Sequence, residues 1–320
     1  MTEALFIGLD LGGTEVKSGL GSADGSLCWT ERTPSEAHLG KDAILQALEA
    51  AVRAALDEAR NRGAQVRGIG LGTPGVVDPT DGVILYPVAN LGGWHGTDLK
   101  GFFADRFNLP AVIDNDANAA AWGEYISGAG RGARVMLMVT VGTGIGGGAV
   151  ISGELVRGAS GGALEVGHTL FEASGRPCNC GLTGCMEAYA GGWGMVSDWR
   201  ERLASDRHEA VAGKKEEELT VTDLIAAGLS DDPLANEVLD DGARALGAGL
   251  MSAIHLINPD VVVIGGGVID ARPRHLQLLE ETLREKVLPK ALARLEIVRA
   301  THGNQAGVIG AVALAAAGEG

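Results

Sequence analysis

Three of the four cysteines, Cys178, Cys180 and Cys185, fall in one short stretch, with His168 ten residues upstream. One imidazole and three thiolates form a soft donor set of the kind that closes a tetrahedral zinc site. The competing readings are a redox pair or buried free thiols. Four protein ligands leave no open coordination position, so such an ion would brace the chain and would not act as a Lewis acid. Glu165 and Glu187 flank the cluster. A metal clip with carboxylates on its edges can aim polar groups at a substrate.

Asp116 follows a short apolar run and stands beside Asn115 at the start of a helical segment. A carboxylate there can accept the proton of a hydroxyl nucleophile. The competing reading is that Asp114 or Asp116 is an N-cap. Two glycine/threonine loops add a third signal: Gly12-Gly13-Thr14 behind Asp10, and GTGIGGG at 142–148. Glycine lets backbone approach phosphate oxygens, and successive N–H groups form an anion-binding nest without a lysine. Neither loop fits the Walker pattern. The second has G-x-G-x-x-G-like spacing, but a strand follows it where a Rossmann site needs a helix. The competing reading for both loops is a plain glycine hairpin.

The elements that must carry these residues repeat. Residues 4–10 read as a buried strand, 15–21 as a second and the run after Gly25 as a third, a β-meander. From 135 the pattern recurs: an apolar strand at 136–141, the glycine turn at 142–148, strands at 149–152 and 154–156. The spacing predicts an amphipathic helix over 41–62, a strand at 66–71 ending in the turn at 72–75, and a strand at 111–113 before the helix from 117 to 125. Later come a long helix over 234–257, a strand at 261–265 with Gly265, Gly266 and Gly267 behind it, and a small-residue helix over 308–317. The charged run GKKEEEL (213–219) reads as an exposed loop or helix end. Strand, glycine turn, strand, turn, strand thus occurs twice, the mark of a duplicated domain.

The chain has 320 residues, 46% hydrophobic, enough for two cores. It holds 50 glycines without a low-complexity tract, which favours tight turns and backbone-lined loops. A net charge of −15 excludes the basic patch of a nucleic-acid binder, so an anionic ligand must be held locally by backbone N–H groups or a metal ion. No secretory signal and no membrane-length apolar run is visible, and no membrane association is expected. Cys28 lies far from the other three cysteines. A cytoplasmic protein is expected.

Together, D10-L-G-G-T14, N115-D116-A-N, V141-G-T-G-I-G-G-G148, E165-V-G-H168 and C178-N-C-G-L-T-G-C-M-E187 resemble the ROK family of bacterial sugar kinases and related repressors, in the family's order and from Asp10 to Ala313. The resemblance implies an α/β, actin-like ATPase (ribonuclease H-like) fold, with two α/β domains around a central cleft. The expected bounds are 1–118, completed by the C-terminal helix at about 306–320, and 119–305 with the zinc site. It implies ATP-dependent phosphorylation of a hexose, on the C6 hydroxyl of glucose, with Asp116 as general base. Asn90, Asn115, Glu165, His168 and Glu187 would bind sugar hydroxyls, His168 using its second ring nitrogen. Asp10 would orient the Mg²⁺ of MgATP; Gly12, Gly13, Thr14, Thr143 and Gly144 would approach phosphates, and Gly265, Gly266 and Gly267 the adenine end. Zn²⁺ would be structural. The expected partners are a hexose and MgATP, with the chain a homodimer or tetramer. N-acetylmannosamine and N-acetylglucosamine kinases share nearly the same residues. A sugar-responsive repressor needs a DNA-binding domain ahead of the body, and Asp10 stands too near the start for one.

Overall fold

A computed structural model describes residues 4–88, 91–206 and 214–318. The chain forms two compact units, one running to Arg134 with Gly148–Leu164 and the residues from Asn304, the other Val135–Gly147 with Glu165–Gly303. The first unit extends beyond the expected limit of 118 because the helix that begins at Asp116 packs along the C-terminal helix, which belongs to the same unit.

The first sheet begins as a meander, β1 (Ala4–Leu11), β2 (Glu15–Gly21) and β3 (Leu27–Pro34). It continues through α1 (Lys41–Asn61), β4 (Gln65–Thr73), α2 (Leu99–Phe107) and β5 (Ala111–Asn115) into α3 (Asp116–Ser127). Strand order is β3-β2-β1-β4-β5, with β1 antiparallel to β2 and parallel to β4, and β4 parallel to β5. β1 is apolar from Ala4 to Leu9 because helices cover both its faces. Leu5, Ile7 and Leu9 join the core that holds Ile44, Leu48 and Val52 of α1. Phe6 packs with Val312 and Ala315 of the C-terminal helix. Each fully buried Leu or Ile contributes about 2 kcal/mol. The terminal helix comes so close that a Cβ on Gly8 would lie 2.5 Å from the Val308 carbonyl, which explains its small-residue composition.

The second sheet is built from β6 (Val135–Val141), β7 (Ile145–Ile151) and β8 (Glu154–Leu155), followed by α4 (Glu187–Ala190), α5 (Gly192–Asp206), α6 (Val221–Leu229) and α7 (Pro233–Ile257). Then come β9 (Val261–Gly265), α8 (Gly267–Ala271), α9 (Pro273–Lys286), α10 (Pro289–Leu292), β10 (Glu296–Arg299) and α11 (Ala306–Ala317). The order is β10-β9-β6-β7-β8, with β6, β9 and β10 parallel. Strand for strand, β6 to β10 take the places of β1 to β5, so the duplicated sequence pattern is a duplicated ribonuclease H-like sheet.

The glycine turn is shorter than expected. β7 already starts at Ile145, so only residues 142–144 turn and the later glycines lie in the strand. α7 starts where Asp232 accepts the Ala235 N–H at 2.7 Å ahead of Pro233, and it ends at Asn258 in the left-handed region. In the charged run, Glu216–Glu218 make one 3-10 turn. Among the described residues, no helix is long and apolar enough to cross a membrane.

Candidate active site

Asp10, Asn115-Asp116 and the predicted nucleotide turns lie at the C-terminal ends of parallel strands in both sheets, where open α/β sheets bind ligands. The registers Asp10↔Gly72 and Thr73↔Asn115 put Asp10, the turn at 72–75 and Asn115-Asp116 at one edge of the first sheet. The register Thr140↔Gly265 does the same for the 142–144 turn and Gly265-Gly267 in the second.

At the β5–α3 junction, Asn115 is the N-cap. Its Oδ1 accepts the N–H groups of Ala117 (2.8 Å) and Asn118 (3.2 Å), and its Nδ2 donates to the Gly75 carbonyl at 3.2 Å. Neither aspartate caps the helix, which corrects the competing reading of the sequence. Asp114 points inward and is buried. It accepts from the Asn115 N–H (2.8 Å), Asn118 Nδ2 (2.9 Å) and Arg157 Nε (2.7 Å). Asp116, the first helical residue, accepts the Ala117 N–H through Oδ1 at 2.9 Å.

Asp10, next to last in β1, has its Oδ2 3.1 Å from Lys17 Nζ. Gly307 lets α11 start against it, since a Cβ there would lie 2.7 Å from the Asp10 Cγ. The Gly12–Thr14 turn is closed by the Gly12 N–H on the Glu15 carbonyl at 2.9 Å. Gly13, Gly142 and Gly267 are not at positive φ, and a Cβ on any of them would meet no protein atom within 4 Å. Packing therefore does not require glycine at these three positions. Gly144 differs, because its Cβ would lie 2.5 Å from Glu187 Oε2. Gly265 and Gly266 are also packed, Gly266 with φ 99° against the Val141 backbone.

In the second unit Glu187 opens α4 and is buried. Its Oε2 accepts the Ile145 N–H at 2.7 Å and its Oε1 accepts from Trp193 Nε1 at 2.9 Å. Glu165 leads a 3-10 turn that ends at His168. Glu165 is exposed as a residue, yet its carboxyl is crowded by protein atoms. That desolvation pushes its pKa up, His168 opposes the shift and the Glu187 charge adds to it.

The donor atoms of His168, Cys178, Cys180 and Cys185 all lie within 4.8 Å of one another. His168 Nδ1 is 3.7 Å from Cys178 Sγ, and Cys180 Sγ is 3.6 Å from Cys185 Sγ. Tetrahedral bonds of zinc length put such donors about 3.6–3.8 Å apart, so the dimensions are compatible with a structural zinc. The protein alone is a poor host for three thiolates. Burial and the neighbouring thiols push Cys185 up to about 12, and burial raises Cys178. For Cys180 burial is outweighed by the Leu182 N–H and the adjacent thiols, which lower it. A bound cation would stabilise all three thiolates together.

Sequence reasoning missed Arg157, Lys17 and Trp193, none of which lies in a motif. Asn90 falls outside the described residues.

A model of the ROK family matches the chain from residue 6 to residue 317. The protein belongs to the ROK family. Its ROK relatives include a glucokinase of Halalkalibacterium halodurans, 35% identical over 313 residues, covering 97% of this chain and 94% of the relative. A Thermotoga maritima glucokinase is 32% identical over 317 residues, covering 98% of both chains. Among solved structures, a ROK glucokinase from Streptomyces griseus in complex with glucose and AMPPNP superposes with a TM-score of 0.83 at 33% identity, covering 97% of this chain and 99% of that one. The fold is accordingly the actin-like ATPase fold of ROK sugar kinases.

Proposed function

We propose that this ROK protein is an ATP-dependent glucokinase that transfers the γ-phosphoryl group to the C6 hydroxyl of glucose. The observation that carries the reading is the β5–α3 junction. Asp116 follows directly on the C-terminal end of β5 as the first residue of α3, at the position that matches the aspartate serving as base in ROK kinases, and a carboxylate there can take the proton of the attacking hydroxyl. Phosphoryl transfer depends mainly on alignment and charge neutralisation, so one base, backbone N–H groups and the magnesium of MgATP are sufficient. Gly13, Gly142 and Gly267 support the nucleotide assignment, since side chains are absent where the protein itself would tolerate them. Gly12, Thr14, Thr143 and Gly144 complete the phosphate-facing turns, and Asp10, paired with Lys17, would orient the magnesium that neutralises the ATP phosphates.

Glu165, His168 and Glu187 serve as hydrogen-bond partners of the sugar. With Nδ1 on the cysteine side, His168 presents Nε2 to a hydroxyl. Zinc on His168, Cys178, Cys180 and Cys185 would supply rigidity to this wall. By likeness to the family, the protein acts in the cytoplasm as a homodimer.

The test is ADP release with glucose, mannose, N-acetylglucosamine, N-acetylmannosamine, fructose and allose. Glucose is expected to give the highest kcat/KM. Preference for an N-acetylhexosamine would move the substrate, and no turnover with any sugar would overturn the kinase reading.

A further inference from the structure

Glu187 does two things that the sequence assigns to different ligands. As proposed above, its carboxylate faces the sugar, and the structure also ties it to the turn assigned to phosphate. Its Oε2 holds the Ile145 N–H at 2.7 Å, immediately after Thr143-Gly144. The start of α5 grips the same turn from the other side, with the Gly192 N–H on the Gly142 carbonyl at 3.0 Å and the Trp193 N–H on the Thr143 carbonyl at 2.8 Å. Trp193 closes the circuit, because its Nε1 donates to Glu187 Oε1 at 2.9 Å. Its ring also packs on the cluster formed by Cys178, Cys185 and Ala188. One residue thus touches the metal-ligand loop and the sugar-facing carboxylate with its side chain and the phosphate turn with its backbone.

We infer that Trp193 is a positioning residue that couples sugar binding to nucleotide binding through Glu187; this rests on the sugar role proposed for Glu187. A carboxylate held on both oxygens cannot rotate to meet a sugar hydroxyl without loading the Ile145 N–H. Sugar that draws charge from Glu187 therefore changes the set of the 143–145 backbone. Nucleotide that orders that backbone in turn fixes Glu187 for sugar. Linkage requires the two effects to be equal.

Trp193→Phe keeps the ring on the cysteine cluster and the backbone N–H on Thr143, and removes only the indole donor. The readouts are calorimetric Kd values for glucose and for AMPPNP, the latter with and without saturating glucose. In the parent, glucose is expected to tighten AMPPNP. In Trp193→Phe, loss of a charge-assisted hydrogen bond is expected to weaken glucose by about tenfold and bring the two AMPPNP values toward equality. KM for glucose should rise far more than kcat falls, with thermal midpoint and metal content unchanged. A general loss of folding would lower the active fraction and leave the AMPPNP ratio intact. Gly144→Ala offers a second route if the first variant folds poorly, since the new methyl displaces Glu187 Oε2 without touching Trp193. Equal AMPPNP affinity with and without glucose in the parent, or an unchanged ratio in folded Trp193→Phe (in Gly144→Ala where that variant does not fold), overturns the coupling. Glu187→Gln separates the two layers. If it leaves glucose affinity intact, the sugar role of Glu187 fails. If it weakens glucose while Trp193→Phe binds both ligands like the parent, only the coupling fails.

Discussion

His275 should make the protein acid-labile, by an amount its surroundings determine. The imidazole lies near the start of α9, fully buried, and neither ring nitrogen has a hydrogen-bond partner among the described residues. Burial pushes its pKa down to about 4, the neighbouring Arg272 charge adds to the shift, and Asp240 opposes it. Asp240 is itself committed to Arg272 (2.6 Å) and Arg274 (2.8 Å), so it offers little to an imidazolium. The folded form thus holds His275 neutral, while the unfolded chain binds a proton near pH 6.5. Stability is complete above 6.5 and declines as pH falls from 6.5 toward 4. Over the whole window, 2.5 units at 1.36 kcal/mol each give about 3 kcal/mol, and linkage between those values gives about 2 kcal/mol at pH 5. Urea unfolding of the parent and of His275→Leu, at pH 8 and at pH 5, isolates this contribution. The parent should lose about 2 kcal/mol more than the variant between the two pH values in the transition that unfolds the second unit. Equal losses would refute a buried neutral histidine, whatever the absolute stability of the variant.

Asp116→Asn should lower kcat by about a hundredfold or more while glucose binding by calorimetry stays close to the parent value; a kcat within tenfold of the parent would remove Asp116 from the role of base. Chelation should lower the thermal midpoint and also raise KM for glucose, because His168 and Glu187 sit on the chain the cluster holds; unchanged sugar affinity in folded, metal-free protein would disconnect them. Arg157→Gln should destabilise the first unit by about 2 kcal/mol in urea unfolding, since it strips a charged partner from the buried Asp114 carboxylate; Arg157→Gln combined with Asp114→Asn should recover part of that loss, and no recovery would show that the pair is not the cause.

Much of the architecture was legible because it is written in local periodicity. The meander, the helix over 41–61, the strands at 65–73 and 261–265 and the long helix ending at Ile257 all follow from repeats within one element. The duplication was legible for the same reason, since glycine turns follow apolar strands at matching places in both halves. Less local features were not. Whether the glycines at 146–148 extend the turn or enter β7 depends on pairing with neighbouring strands, and the structure places them in the strand. The three residues of Asp114-Asn115-Asp116 have near-equal capping propensities, so the choice among them falls to what surrounds each one. Arg157, forty-three positions away, draws Asp114 inward and leaves the cap to Asn115.

The same division holds for the chemistry. The sequence by itself determined the donor types: three thiols and an imidazole close enough along the chain to share one ion, a carboxylate at a helix start, and glycine where backbone can meet phosphate. These depend on residue identity and short spacing. Only the tertiary structure decided what each group is bound to. Glu187 is joined to Ile145 across forty-two positions and to Trp193 through a side chain no motif contains. His275, unremarkable in sequence, is held neutral because the fold buries it and commits the nearby charges to one another. Hydrogen-bond partnership and desolvation depend on which atoms come within a few ångströms, and folding sets those distances between residues that the sequence keeps far apart.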